Sequence, residues 1–210
     1  MRDKSLNKIY ELIPGGLFGL LSVVIGLIGD LLSILLYPGY NMAIHMASNL
    51  GIGPGGLIFN SGIVLSGIFA ILFYLYMGQL FNDGFNEDKI VKTAVFFAVL
   101  SSIFFILVGI FPAMGEYEEI IAIHSVAALL SWLTGICYCC LFCYLILKTN
   151  HLSNFLFIFP FMALIAFSSL LIAIAIPNAT IIVPLIEWTM VFIVSFFITT
   201  LASYTLYKRL

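Results

Sequence analysis

The sequence has very little charge. Only 9% of its 210 residues are Asp, Glu, Lys or Arg, whereas roughly a quarter are charged in a soluble domain. A soluble globule of this size needs more charged residues to cover its surface, so the composition excludes an ordinary cytosolic enzyme, a nucleic-acid-binding protein and a disordered chain. Hydrophobic residues make up 63% of the chain, which indicates an integral membrane protein.

Cysteine is also scarce, and its placement excludes a disulfide framework. The four cysteines lie in one apolar run, at Cys137, Cys139, Cys140 and Cys143. A small secreted disulfide scaffold would space them along the chain. We interpret them as small apolar residues of a helix, with metal thiolates or palmitoylation of Cys143 as alternatives. Strand-length segments that alternate apolar and polar residues are missing too, which excludes a transmembrane β-barrel.

Six long apolar runs predict six membrane-spanning helices, since a spanning helix needs about 20 mostly apolar residues and lipid cannot satisfy an open backbone. The predicted spans cover residues 14–37, 55–81, 93–111, 121–147, 154–176 and 184–207. The predicted fold class is therefore all-α, a six-helix transmembrane bundle forming a single domain over residues 1–210. Residues 38–54 make one longer loop, which we expect to fold back over the outer mouth of the bundle as a cap.

All eight basic residues fall on one side of these six spans. They are Arg2, Lys4, Lys8, Lys89, Lys92, Lys148, Lys208 and Arg209. The loops on the opposite side carry no basic residue and hold the acids Glu116, Glu118 and Glu119. The positive-inside rule then predicts a multi-pass protein of the cell membrane with both termini in the cytoplasm. An N-glycosylation sequon at Asn178 would lie outside, and its use stays open.

Small residues follow one face of the first span. They are Gly15, Gly19, Ser22, Gly26, Gly29 and Ser33. Spacings of three and four keep them on one helix face, and small residues allow close helix packing in lipid. We expect tight packing along this face, or self-association of the chain as a homo-oligomer.

Polar residues of the outer half define the candidate site, because ionisable groups within a span are costly and face the protein interior or a wet cavity. The candidate residues are Asp30, His45, Ser48, Asn49, Asn60, His124 and Glu187. The inner half of the predicted bundle has essentially no ionisable residue. If the faces that carry these residues converge, they form a polar pocket at the depth of the outer leaflet.

Several interpretations of these residues are open. They can be structural, with Asp30 and Glu187 satisfying helix ends or pairing with a histidine. They can line a pocket for a lipid head group or another amphiphile, which makes membrane lipid the predicted partner. They can also form an intramembrane enzyme, a hydrolase or acyl transferase that uses a metal or a histidine and a carboxylate as acid and base.

Three further functions are open for this protein. A haem held between His45 and His124 is one, but a lone pair of histidines, one of them in a loop, is poor evidence for it. Spacing signatures such as HExxH are missing as well, so we predict no metal and no cofactor. A small transporter is another, although the apolar inner half offers no ion path. A membrane scaffold that holds partner helices is the last, and nucleic acid is not an expected partner.

Two segments resemble a known membrane-protein pattern. One is the loop entering the second span, with His45, Ser48, Leu50 and Gly51, and the other runs from residue 109 to 132 and includes His124. They resemble an uncharacterised prokaryotic membrane family called domain of unknown function 998 and, more distantly, the eukaryotic Frag1/DRAM/Sfk1 group. The resemblance implies six helices, a serine–x–leucine–glycine loop and a histidine that opens the fourth span. For function it implies a role near membrane lipids, without a catalytic mechanism.

Overall fold

The computed structural model describes residues 4–84, 88–113, 117–149, 152–176 and 181–210. These residues form seven α-helices and two short 3-10 helices, with no strand among them. The α-helices are α1 (Lys4–Leu12), α2 (Gly15–Leu36), α3 (Gly56–Gly84), α4 (Asp88–Ile110), α5 (Glu118–Lys148), α6 (Ile158–Ala175) and α7 (Val183–Lys208). The 3-10 helices are Ala47–Ile52, which we call the cap helix, and Asn154–Phe157, which leads into α6.

Six helices, α2 to α7, are long and apolar enough to cross a membrane. The chain is therefore a membrane-spanning helical protein, and the predicted all-α fold with six spans is confirmed. The helices run beyond the predicted spans at several ends. For example, α4 begins at Asp88 and not at residue 93, and α5 begins at Glu118, because a helix continues into polar residues once it has left the apolar run.

The six spanning helices close into a ring. Each packs against its neighbour in the chain, and α7 packs against α2. The α1 helix and the end of α7 lie at one end of this ring, where the Tyr10 ring contacts the Tyr76 ring and the Tyr76 hydroxyl donates a hydrogen bond of 2.6 Å to the Leu210 carbonyl. We call this the termini end, and the opposite end, which carries residues 37–54, the cap end.

Aromatic side chains fill the middle of the ring on the side of the termini end. The Tyr74 hydroxyl of α3 lies 3.1 Å from the Tyr138 hydroxyl of α5. The Tyr138 ring packs against the rings of Phe142 and Phe197, and all four side chains are buried. Hydrogen bonding between the two phenols satisfies groups that lipid or an apolar core would leave unpaired. This core closes the interior towards the termini end.

The small-residue face of α2 packs against α3 and α7 of the same chain. A Cβ added at Gly29 would lie 3.2 Å from the Cα of Gly62, and the hydroxyls of Ser22 and Ser66 lie 3.2 Å apart. Gly19 lies against Ala202 of α7. The expected tight packing is confirmed, while a homo-oligomer through the first span stays a prediction.

Candidate functional site

Residues 37–54 fold across the cap end and contact α2, α3 and α7 through the cap helix. Two local features shape this segment. Gly39 has a φ of +76°, a conformation that L side chains rarely adopt. The Asn41 carboxamide oxygen accepts a hydrogen bond from the backbone N–H of Ala43, and the Nδ1 atom of His45 accepts one from the backbone N–H of Asn41. These bonds are typical of an Asn-initiated turn and bring the cap helix back over the bundle.

Glu187 anchors the start of the cap helix. Its Oε2 atom accepts a hydrogen bond of 3.0 Å from the backbone N–H of Ala47, and the backbone N–H of Ser48 bonds to the same carboxylate. The first N–H groups of a helix have no partner within the helix, and a negative charge at that end is favourable. Glu187 lies in the first turns of α7 and is buried, so its carboxylate ties the cap to α7 across the bundle.

Trp188 and Tyr40 add a second connection between α7 and the cap. The Trp188 indole N–H contacts the Tyr40 hydroxyl at 3.0 Å and the His45 carbonyl at 3.2 Å. The Tyr40 hydroxyl donates to the Met46 carbonyl at 2.8 Å, and its ring stacks on the His45 ring. The Nδ1 atom and the carbonyl of His45 are thus both engaged in holding the cap.

Asn60 and Ser33 hold the other end of the cap. The Asn60 side-chain amide donates a hydrogen bond of 3.0 Å to the Gly51 carbonyl, and the Ser33 hydroxyl donates one of 3.0 Å to the Gly55 carbonyl. Gly51 has no space for a side chain, because a Cβ there would lie 2.7 Å from the Asn60 oxygen. Asn49 is half-buried in the cap helix, where its backbone N–H bonds to the Met46 carbonyl.

Asp30 lies under this cap, on the α2 face that also carries Gly26 and Ser33. It is half-buried. Burial raises the pKa of Tyr40 above its ordinary value, the Trp188 hydrogen bond lowers it, and the nearby carboxylates of Glu187 and Asp30 raise it again. Asp30 also interacts electrostatically with Glu187. The two carboxylates and the Tyr40 phenol therefore share one polar region beneath the cap.

The Asp30 carboxylate differs from the other polar groups of this region. In the described part of the chain, it makes no hydrogen bond and no ion pair. Glu187 and Asn60, by contrast, both bond to the backbone of the cap. Asp30 is therefore the group of the candidate site whose carboxylate the described residues leave unmatched.

His124 lies apart from the cap residues. Its Nδ1 atom is 2.9 Å from the Phe111 carbonyl, so Nδ1 donates, and the side chain is 8% exposed. This bond closes the connection between α4 and α5. Within the described ranges no hydrogen bond joins His124 to Asp30, His45 or Glu187. The structure thus gathers Asp30, His45, Ser48, Asn60 and Glu187 at the cap and gives His124 a local structural role.

Sequence reasoning did not place Tyr40 and Trp188 in the site. Aromatic residues at span ends are typical of a membrane interface, so neither residue stood out. One signal was present: Trp188 follows Glu187 directly, at the start of α7. An indole N–H at that position needs a hydrogen-bond acceptor when buried, and the cap supplies the Tyr40 hydroxyl and the His45 carbonyl.

The remaining predictions concern a metal site, the cysteines and the glycosylation sequon. Among the described residues, no three His, Cys, Asp or Glu side chains group where they could hold a metal ion. Cys139 is buried in the aromatic core, and the Cys143 thiol lies 3.7 Å from the Phe157 carbonyl. Arg2, Glu116 and the sequon at Asn178 lie outside the described residues.

Comparison with known proteins identifies the family. A family model described as a protein of unknown function, DUF998, matches residues 20–204. No curated protein and no solved structure matches the chain. A prokaryotic origin and the distant likeness to the Frag1/DRAM/Sfk1 group therefore stay predictions. The matched range includes the whole cap and all or most of each of the six spanning helices, and this membrane-spanning helical protein belongs to the DUF998 family.

Proposed function

We propose that this protein binds a membrane lipid at the cap end, where the Asp30 carboxylate receives the ammonium group of the lipid head group. The unmatched charge of Asp30 carries this proposal. A charged side chain within a span costs several kcal/mol unless a partner compensates it. The described residues offer Asp30 no such partner, so a cationic group from outside the chain is the complement that this site lacks.

The charge of the surroundings favours a cation over an anion. Glu187 places a second carboxylate near Asp30. The basic residues of α1, the start of α4 and the ends of α5 and α7 all lie at the termini end. An ammonium group beneath the cap therefore meets two carboxylates, which favour a cation over a phosphate or a further carboxylate.

A lipid fits this position better than a soluble amine. Asp30 lies within the span of α2, and the next side chains on the outside of that helix, Leu31 and Leu35, are 56% and 73% exposed. Acyl chains of the cap-end leaflet contact these leucines, so an amine-bearing head group of that leaflet lies at the height of the cap. A phospholipid with a primary ammonium group, such as phosphatidylethanolamine, has this chemistry.

We further propose that the termini end is cytoplasmic and that the cap end is the outer face of the cell membrane. The support for this orientation is the distribution of charge, since all eight basic residues of the sequence fall on the termini side of the six spans. The bound lipid then belongs to the outer leaflet.

A purely structural role and an enzymatic role each explain fewer of the site residues. A purely structural role explains Glu187, Asn60 and His124, which all bond to backbone groups, but it leaves Asp30 without a function. The hydrolase or acyl transferase that the sequence suggests would use a metal, or a histidine hydrogen-bonded to a serine or a carboxylate. In the ranges described, the hydrogen bonds of the His45 and His124 rings go to backbone atoms.

Quenching of Trp188 fluorescence tests the proposal directly. The chain has two tryptophans, so a Trp132→Phe variant leaves Trp188 as the only reporter, next to Glu187. We expect phosphatidylethanolamine with brominated acyl chains to quench Trp188 at lower concentration than phosphatidylglycerol with the same chains. Equal quenching by the two lipids would contradict the proposal, because Asp30 would then not select an ammonium group.

A further inference from the structure

A polar cleft opens at the termini end, on the opposite side of the protein from the cap. Its volume is about 490 Å³, within the range of roughly 300 to 1,000 Å³ that is typical of small-molecule sites. It lies between α1, the start of α2, α3 and the end of α7. The polar side chains that line it are Tyr10, Glu11, Tyr76, Gln79, Thr205 and Arg209.

Two opposite charges line this cleft without neutralising each other. Glu11 of α1 and Arg209 at the end of α7 are both exposed. Within the described ranges, neither forms an ion pair with the other or with a third residue. A cleft that presents a separate carboxylate and a separate guanidinium is complementary to a ligand that carries both an ammonium group and an anionic group.

Arg209 is held in an unusual backbone conformation. Its φ is +53°, and it is the one non-glycine residue with positive φ in the described part of the chain. The N–H of Arg209 bonds to the Leu206 carbonyl and that of Leu210 to the Thr205 carbonyl. Glycine is the usual residue after such a helix end, because L side chains are strained there. This backbone strain lies at Arg209, the residue whose guanidinium lines the cleft.

Two tyrosine rings form the aromatic wall of the cleft, and hydrogen bonds hold both hydroxyls. The rings of Tyr10 and Tyr76 lie 5.5 Å apart, and their hydroxyls donate to the carbonyls of Leu72 and Leu210. Burial, followed by the proximity of Tyr76, raises the pKa of Tyr10 to about 12, which keeps this phenol neutral. Gly15 packs directly on the Tyr76 ring and has no space for a Cβ. Neutral aromatic faces attract ammonium groups.

The cleft lies at the height of lipid head groups. Ile9 and Leu12 of α1 and the following Ile13 are exposed, with Leu12 83% exposed, while Glu11 lies on the side of the helix opposite Ile9. A short helix with such faces lies in the plane of the membrane interface, with its apolar side towards the acyl chains. Because α1 lies next to Pro14, which precedes α2, the cleft beside α1 lies at the same depth as this helix.

We infer that this cleft binds a zwitterionic phosphate–ammonium group, that of a phospholipid head group in the leaflet at the termini end. The phosphate bonds to Arg209, and the ammonium group lies between Glu11 and the ring of Tyr10. This site is independent of the one proposed beneath the cap, since it uses α1, α3 and the end of α7 and lies at the opposite face of the membrane.

Native mass spectrometry of the purified protein tests the inference, with an Asp30→Asn background that removes the cap-end carboxylate. Phosphatidylethanolamine and phosphatidylglycerol are titrated separately. Arg209→Gln and Glu11→Gln are compared with Lys208→Gln and Glu119→Gln, which remove the same charges outside the cleft. Since each charged hydrogen bond is worth about tenfold in affinity, we expect each cleft variant to weaken phosphatidylethanolamine binding by about tenfold, and the controls to leave it unchanged.

Three results would overturn the inference: equal binding of the two lipids, cleft variants that bind phosphatidylethanolamine as tightly as the background protein, or controls that lose as much affinity as the cleft variants. Soluble phosphoethanolamine then identifies the source of the ligand. If it displaces the lipid, the cleft recognises the phosphate–ammonium group alone. If it does not, the acyl chains are also required, and the ligand is a membrane lipid. The altered side chains are exposed, so the thermal unfolding temperatures of all variants should match that of the background protein.

Discussion

The carboxylate of Glu187 accepts a hydrogen bond of 3.0 Å from the backbone N–H of Ala47, 140 positions earlier in the sequence. This bond joins the start of α7 to the start of the cap helix and holds residues 37–54 over the bundle. It also places Glu187 beside the unmatched carboxylate of Asp30. Glu187 therefore both anchors the cap and lies in the proposed lipid site.

Replacement of Glu187 by leucine should loosen the cap. The backbone N–H groups of Ala47 and Ser48 lose their acceptor, and an unpaired buried donor costs about 1 to 3 kcal/mol. Glu187→Gln keeps one acceptor oxygen and should have a smaller effect. The measurement is the rate at which a water-soluble maleimide modifies a Ser48→Cys variant.

The matched control for this prediction is Thr189→Ala, because Thr189 is exposed on the same helix and bonds only to the Leu185 carbonyl. It should leave the modification rate unchanged. An unchanged rate in Glu187→Leu would show that the cap does not depend on this carboxylate.

Gly62→Val should separate α2 from α3. The Cα atoms of this contact are so close that a Cβ at Gly62 would lie 3.2 Å from the Cα of Gly29, and backbone atoms cannot move aside as a flexible side chain can. Overpacking of this kind costs about 1 to 3 kcal/mol. Thermal unfolding in detergent should show a clear loss, whereas Ser61→Val, an exposed neighbour on α3, should show almost none. Equal unfolding temperatures would mean that the two helices do not pack as closely as described.

Stability should fall at alkaline pH through Tyr10. Burial raises the pKa of Tyr10 in the folded protein from 10.0 to about 12. The stability that comes from this difference is fully present below pH 10.0 and is lost as the pH rises towards about 12. The unfolding temperature of the wild type should therefore fall more steeply in this range than that of Tyr10→Phe. Parallel curves for the two proteins would refute the buried, neutral state of this phenol.

Asp30→Leu should raise the free energy of unfolding. A carboxylate that the protein itself leaves unpaired in a span costs folding free energy, and its removal should recover about 1 to 3 kcal/mol. Sites that bind ligands often lower stability in this way. The measurement is thermal unfolding in detergent without lipid, with Asp30→Asn as the variant of equal volume. A loss of stability in both variants would indicate a partner for Asp30 within the chain.

The helical architecture was predictable because it depends on local composition. Unbroken apolarity predicts spanning helices, and the run of residues 15–36 is helical from end to end. The spacing of the glycines in α2 similarly predicted the close contact that Gly29 makes with α3. These features follow from the properties of a single segment, so the sequence of that segment was enough.

The connections of the cap were not predictable in the same way. The acceptor role of Glu187 depends on a backbone N–H that is remote in the chain, and no residue type marks such a donor. The depth of Asp30 and Glu187 along their spans predicted that both lie at the same end of the bundle. Depth does not predict where a residue lies around the ring of six helices. His124 has the same depth and bonds instead to the Phe111 carbonyl, 13 positions away.

The central claim is that Asp30 selects a lipid with an ammonium group, and the most direct test is a comparison of two affinity ratios. The affinity for phosphatidylethanolamine relative to phosphatidylglycerol is measured through Trp188 fluorescence in Trp132→Phe protein, with Asp30 intact and as Asp30→Asn. We predict a ratio of about ten or more with Asp30, since a charged hydrogen bond has roughly this effect, and a ratio near one with asparagine. The same ratio in both proteins would contradict the claim.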